Sequence, residues 1–148
     1  MRVLVDGSNL LGALRLDREG VESKRSLLRT LAAFARARKA KVVCFFDGSA
    51  PGSFATSLGS VSARFTHPRS ADDAIVEEVE RLGRDPFRVV TSDGGLAARV
   101  RRRNVEIVGA AAFARELEAL GEGGGEGEGE GEGIDWAEYF SDPKNRNV

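Results

Sequence analysis

Acidic side chains recur at one kind of position in this sequence. Asp6 follows the β-rich run Arg2–Val5, Asp47 follows Lys41–Phe46, and Asp93 follows Arg88–Thr91 with Ser92 between. A further pair, Asp72 and Asp73, opens an amphipathic stretch just after Ser70. A single strand-end aspartate is ordinarily a turn residue or a helix cap. Repetition changes its meaning, because parallel strands present their carboxyl ends at one rim and would bring these acids together. Like charges so gathered cost free energy unless a cation offsets them, and an all-oxygen set suits Mg²⁺ or Mn²⁺. Such an ion orients and acidifies water and stabilises charge developing on a phosphate. The neighbours fit that chemistry. Gly7 permits a tight turn after Asp6, Ser8 and Asn9 add polar groups beside it, and Thr91 and Ser92 place two hydroxyls before Asp93. Gly94 and Gly95 leave room for a phosphate or another backbone to approach, or simply make a strand-to-helix turn.

The elements that must hold these acids alternate in type. Strand patterns cover Arg2–Val5, Lys41–Phe46, Ser60–Phe65, Arg88–Thr91 and Val105–Val108, five in all. Between them lie helical patterns. Ser23 is a candidate cap for a helix to about residue 40, with Leu27, Leu28, Leu31, Phe34 and Ala35 at helical spacing. Ser70 precedes Ala71-Asp72-Asp73 and another helix that ends near Leu82, a basic helix spans about Leu96–Arg103, and Ala110–Leu120 is the last. Strands alternating with helices predict an α/β fold with a mostly parallel five-stranded sheet flanked by helices.

Composition narrows the class further. Of 148 residues, 41% are hydrophobic and 30% charged, enough for a real core under a soluble surface. No apolar run approaches the roughly 20 residues that span a bilayer. The first apolar run starts without a basic leader, so a cytoplasmic chain is expected. The one cysteine, Cys44, excludes an internal disulfide and the usual multi-cysteine zinc sites, and its apolar strand predicts a buried structural thiol. Residues 1–120 hold 20 bases against 15 acids, whereas 121–148 hold two against eight. A basic body suggests a polyanionic partner. The Gly/Glu run 121–133 reads as a flexible, self-repelling linker. Beyond it, the tail 134–148 begins with Ile134–Phe140, which gathers three aromatics and an isoleucine into a candidate protein-docking segment.

The ordered motifs Asp6-Gly7-Ser8-Asn9, Phe45-Phe46-Asp47-Gly48, Ser70-Ala71-Asp72-Asp73 and Thr91-Ser92-Asp93 resemble the YacP-like branch of the NYN domains, within the PIN-like nuclease superfamily. The resemblance covers about residues 1–118. It implies a PIN-like, Rossmann-like sheet and a divalent-metal ribonuclease, with an endonuclease acting on ribosome-associated mRNA as its specific form. Matching motif to motif makes Asp6, Asp72 and Asp93 the metal ligands and Asp73 the second acid of the helix pair. It makes Asn9 a residue that orients Asp6 or touches substrate, and Asp47 an acidic strand end near them. Many PIN-like nucleases carry another acid two residues past the position of Asp93, where this chain has Gly95. Other phosphate folds fit less well. A dehalogenase-type phosphatase needs an acid where Ser8 stands, an integrin-type site needs a serine where Leu10 stands, and no P-loop or dinucleotide glycine pattern occurs.

Substrate contacts are expected from Ser8, Asn9, Asp47 and Ser92, and RNA phosphates from Arg69, Arg99, Arg102 and Arg103, with Arg64, His67 and Arg101 nearby in sequence. With His67 the only histidine, a histidine-pair mechanism is not available and metal-activated water is favoured. Phe54, in the 48–60 loop, would either stack on an unpaired base or pack the loop onto the body. The expected function is hydrolysis of single-stranded RNA or mRNA. A non-catalytic RNA- or ribosome-binding module, and an adaptor working through the tail, are the alternatives.

Overall fold

The computed structural model describes residues 1–124, so Ile134–Phe140 and most of the Gly/Glu run lie outside the described residues. The chain runs β1 (Arg2–Asp6), α1 (Gly7–Ala13), α2 (Val21–Arg38), β2 (Lys41–Phe46), β3 (Ser57–Leu58), β4 (Val61–Phe65), α3 (Ala71–Leu82), β5 (Phe87–Val90), α4 (Gly94–Val100), β6 (Val105–Val108) and α5 (Ala110–Gly124). The six strands form one sheet in the order β3-β4-β2-β1-β5-β6. All pairs are parallel except β3 with β4. From β1 the chain winds outward through β2 to β4, then returns to the other side of β1 with β5 and β6. The strand order therefore reverses between β1 and β5, where open α/β sheets place their ligands.

Alternation along the strands divides the core in two. Val3, Val5, Cys44 and Phe46 face α1, α2 and α5, and there the Phe34 and Phe113 rings meet edge-on with centroids 5.1 Å apart. Leu4, Phe45 and Val89 face α3 and α4, against Ile75, Val79 and Leu96. Cys44 is a free, fully buried thiol as expected, and burial pushes its pKa well up. Among the described residues no helix is long and apolar enough to cross a membrane.

The structure departs from the sequence reading at several elements. Strand β3 is a sixth strand, only two residues long and antiparallel, too short for any periodicity to reveal. The stretch after Asp6 is a helix rather than a turn, with Leu10 and Leu11 buried. Gly7 opens that helix because its backbone presses on β2: a Cβ there would stand 2.6 Å from the Phe46 ring. Helix α2 begins at Val21 with Gly20 as its cap, so Ser23 lies inside its first turn. Helix α4 stops at Val100, before the arginine run, because Arg101 turns extended and the Asn104 amide donates to the carbonyls of Gly83 and Asp85, tying the chain to the start of β5. Helix α5 continues four residues past Leu120. Ser70 caps α3, its hydroxyl accepting from the Asp73 amide.

Candidate active site

Asp6 ends β1 and is buried, 4% exposed, at the carboxyl rim where the strand order reverses. Its Oδ2 accepts a hydrogen bond of 3.0 Å from the hydroxyl of Thr91, which follows β5 and is 2% exposed. The same hydroxyl accepts from the Asp93 amide at 3.0 Å. Thr91 thus joins the acid of β1 to the acid that caps α4. Asn9, on the first turn of α1, completes the link: its Oδ1 accepts from the Ser92 amide at 2.6 Å and lies 3.3 Å from the Thr91 hydroxyl. Asp93 uses Oδ1 to accept from the Gly95 and Leu96 amides, the ordinary work of a helix cap. Asp47, exposed at the end of β2, accepts from the Ala71 amide at 2.9 Å and so anchors the start of α3, where Asp72 follows.

The charges of this rim act on Asp6 and Asp72. Burial pushes Asp6 above its ordinary value, the Thr91 hydroxyl and the Asn9 backbone N–H pull it down, and the charges of Asp47 and Asp93 push it up again. Asp72 is also raised, first by partial burial, then by the charges of Asp6 and Asp93, by its contact with the Asp93 carboxyl, and by Asp47. None of the four is paired with a lysine or arginine among the described residues. The donor set is all oxygen and lacks a counter-charge, which fits a hard cation held through one or two carboxylates and otherwise by water. It is not a closed cage: among the described residues no three His, Cys, Asp or Glu groups converge as a ready metal site.

Residues 3–128 match the YacP-like NYN domain. The chain belongs to that family. YacP-like NYN domains are part of a PIN-like nuclease family, and the fold agrees. The structure is similar to crystal structures of Rae1 (YacP) from Bacillus subtilis. One aligns with a TM-score of 0.67 and 23% identity over 82% of this chain and 76% of that one. The other, a W164L mutant, gives 0.66 and 22% over 82% and 77%. No curated protein matches the chain.

Within this YacP-like domain, the expected ligands Asp6, Asp72 and Asp93 and the strand-end Asp47 do share the rim, and Ser92 lines a cavity beside it with Asn9 and Asp93, while several other expected site residues have partners of their own. Asp73 points away: Arg99 bonds its carboxylate at 3.0 Å and holds its pKa below the ordinary range. It is a surface ion pair, with its side chain 52% exposed. Ser92 spends its hydroxyl accepting from the Ala110 amide at the start of α5. Ser8 is partly buried on α1 and makes no side-chain hydrogen bond among the described residues. Arg69 is paired with Glu77, and Arg99 with Asp73.

Arg101, Arg102 and Arg103 lie at the other end of the sheet. Helix α4 runs back from the acidic rim, and Asn104 bonds the amide of Phe87, the first residue of β5. The four residue steps from Phe87 to Thr91 put about 13 Å of strand between that end and the acids. Arg64 is tied to Glu78, and His67 is exposed beside the rim. Phe54 is buried edge-on against Phe65, centroids 5.1 Å apart, so it packs the loop rather than offering a stacking face. Thr91 is the residue the sequence undersold. A hydroxyl one place past an apolar strand was visible, but its bond to an acid 85 positions away was not.

Proposed function

We propose that this chain is a divalent-cation-dependent ribonuclease that hydrolyses RNA phosphodiester bonds at the acidic rim. The observation that carries the reading is the uncompensated charge of Asp6, Asp47, Asp72 and Asp93, beside an Asp73 that Arg99 neutralises. Asp6, Asp72 and Asp93 are the residues that would hold Mg²⁺ or Mn²⁺. When bound, the ion supplies positive charge to the phosphate and a water acidic enough to attack near neutral pH. The chain's own groups do the rest. Thr91 fixes the orientation of Asp6, and Asp93 is locked by two amides. Asp72, raised by partial burial and by the charges of Asp6 and Asp93, is a carboxylate whose ionised form a bound cation would favour. The Asn9 carboxamide, its oxygen committed to Ser92, has its nitrogen left for a phosphate oxygen.

In its finer form the reading is endonucleolytic cleavage of ribosome-associated mRNA in the cytoplasm, with Ile134–Phe140 as a separate docking segment for a protein partner. The test is incubation of labelled single-stranded RNA with Mg²⁺ or Mn²⁺, against a chelator and an Asp93→Asn control. Internal cuts that vanish with chelator and in the variant support the reading; cuts indifferent to both sink it. Gly95, and the lack of three converging donors among the described residues, favour one second reading, a non-catalytic RNA-binding module. RNA binding without turnover in either ion would establish that module instead.

A further inference from the structure

A cavity of about 460 Å³ opens beside the acidic rim, between α1 and the start of α5. Its walls include Asn9 and Ala13 of α1, Arg18, Asp93, and Ala110 and Ala111 of α5. Arg18 is exposed and has no ion-pair or hydrogen-bond partner among the described residues. Its guanidinium rests on α1 at Gly12, where the helix has no side chain: a Cβ there would stand 2.2 Å from Nη2 and 2.9 Å from Cζ. The guanidinium is therefore seated against backbone, with its charge turned to a cavity that Asp93 borders on another side. Asn9 contributes to the same wall, and its Nδ2 has no partner among the described residues. The alanines keep the space open, and the volume is in the range of small-ligand sites.

We infer that this cavity is a nucleotide subsite next to the bond being cut, with Arg18 holding the phosphate of the flanking nucleotide. The inference rests on RNA being the ligand of the acidic rim. A polyanion approaching four carboxylates is repelled unless a cation beside them offsets the field, and a planar guanidinium does this with directed bonds to phosphate oxygens. Of the arginines expected to do so, Arg102 and Arg103 are at the wrong end of the sheet, and Arg69 and Arg99 are engaged by acids. Arg18 combines a free charge with a place on the cavity wall.

Fluorescence anisotropy with a fluorescein-labelled oligouridylate, in chelator so that no turnover occurs, tests the subsite on the full chain. Arg18→Ala is expected to bind about tenfold more weakly and to lower the slope of log affinity against log salt by about 0.7, the share of one phosphate on a single strand. Arg18→Lys restores the slope and part of the affinity. Ala111→Trp, which fills the cavity without touching a charge, weakens binding, whereas Arg102→Ala at the far rim changes it less than twofold, about the scatter between neutral surface variants. Equal effects of Arg18→Ala and Arg102→Ala, or an unaffected Ala111→Trp, would overturn the subsite. Thermal melts of each variant check that the fold is intact. Weakened binding by Arg18→Ala in a chain that never cleaves would sink hydrolysis and keep the subsite. Cleavage with binding indifferent to Arg18 does the reverse, and failure of the wild-type chain to bind sinks both.

Discussion

One hydroxyl group organises the rim. Thr91 has a single proton to give; the shorter contact assigns it to Asp6, and the oxygen still accepts the Asp93 amide. Replacing Thr91 by valine preserves shape and leaves a buried carboxylate and an amide without their partner. The expected cost is about 1–3 kcal/mol in urea unfolding, together with a loss of RNA cleavage that Thr91→Ser restores. A full-rate Thr91→Val enzyme would show that the hydroxyl has no part in placing Asp6. At this scale the sequence was only partly legible. It showed which aspartates end strands, because a strand announces itself locally. It did not show that Asp73 turns outward to Arg99 while its neighbour Asp72 faces the rim. Adjacent helical positions differ by about 100° in direction, and the partner that settles the matter is 26 residues away.

Elements transmit these placements. Helix α1 carries Asn9, and its start is pressed on β2 at Gly7, where an added methyl would meet the Phe46 ring at 2.6 Å and the Phe45 carbonyl oxygen at 2.7 Å. Because the second contact is backbone, Gly7→Ala must push the helix away, at an expected cost of about 1–3 kcal/mol. Loss of RNA cleavage beyond what the stability change explains would report the displacement of Asn9. Helix α3 is fastened on its far side by Glu78, 5% exposed, which bonds Arg81 and Arg64. The Arg81 hydrogen bond, reinforced by Arg64, holds the Glu78 carboxyl below its ordinary 4.5. Its contribution is therefore present above pH 4.5 and fades as pH falls through the lower folded value. Both arginines are half in water, so Glu78→Gln is expected to cost about 1–2 kcal/mol at neutral pH. The gap from wild type in denaturant unfolding should close on acidification. A gap independent of pH would remove the ion pairs from the account. The βα order predicted that the acids share a rim. The same order, followed through the return direction of α4, sends Arg102 and Arg103 to the opposite end; treating that helix as nearby in sequence hid this.

As a whole, the molecule holds repulsion at one edge of its sheet. Asp6 and Asp72 both bind protons more tightly folded than unfolded, so their contribution favours the fold on the acid side and is lost as pH rises through their folded values. At neutral pH in chelator, Asp72→Asn should therefore raise Tm by about 2–4 °C, the shift that roughly 1 kcal/mol produces in a domain of this length. Added Mg²⁺ should stabilise wild type more than the variant, by mass action on the folded form alone. Equal responses would mean that Asp72 plays no part in holding an ion. The hydrogen bonds around the rim carry one more consequence. Asp6 and Asp47 each have one oxygen holding a hydrogen bond, and Asp93 has one oxygen holding two, so a two-handed grip on a cation competes with the bonds that fix these side chains. Calcium, which wants six to eight oxygens and readily takes carboxylates two-handed, is poorly served by such a set, whereas a compact octahedral ion that keeps its waters is not. Substituting Ca²⁺ for Mg²⁺ should accordingly leave the RNA uncut.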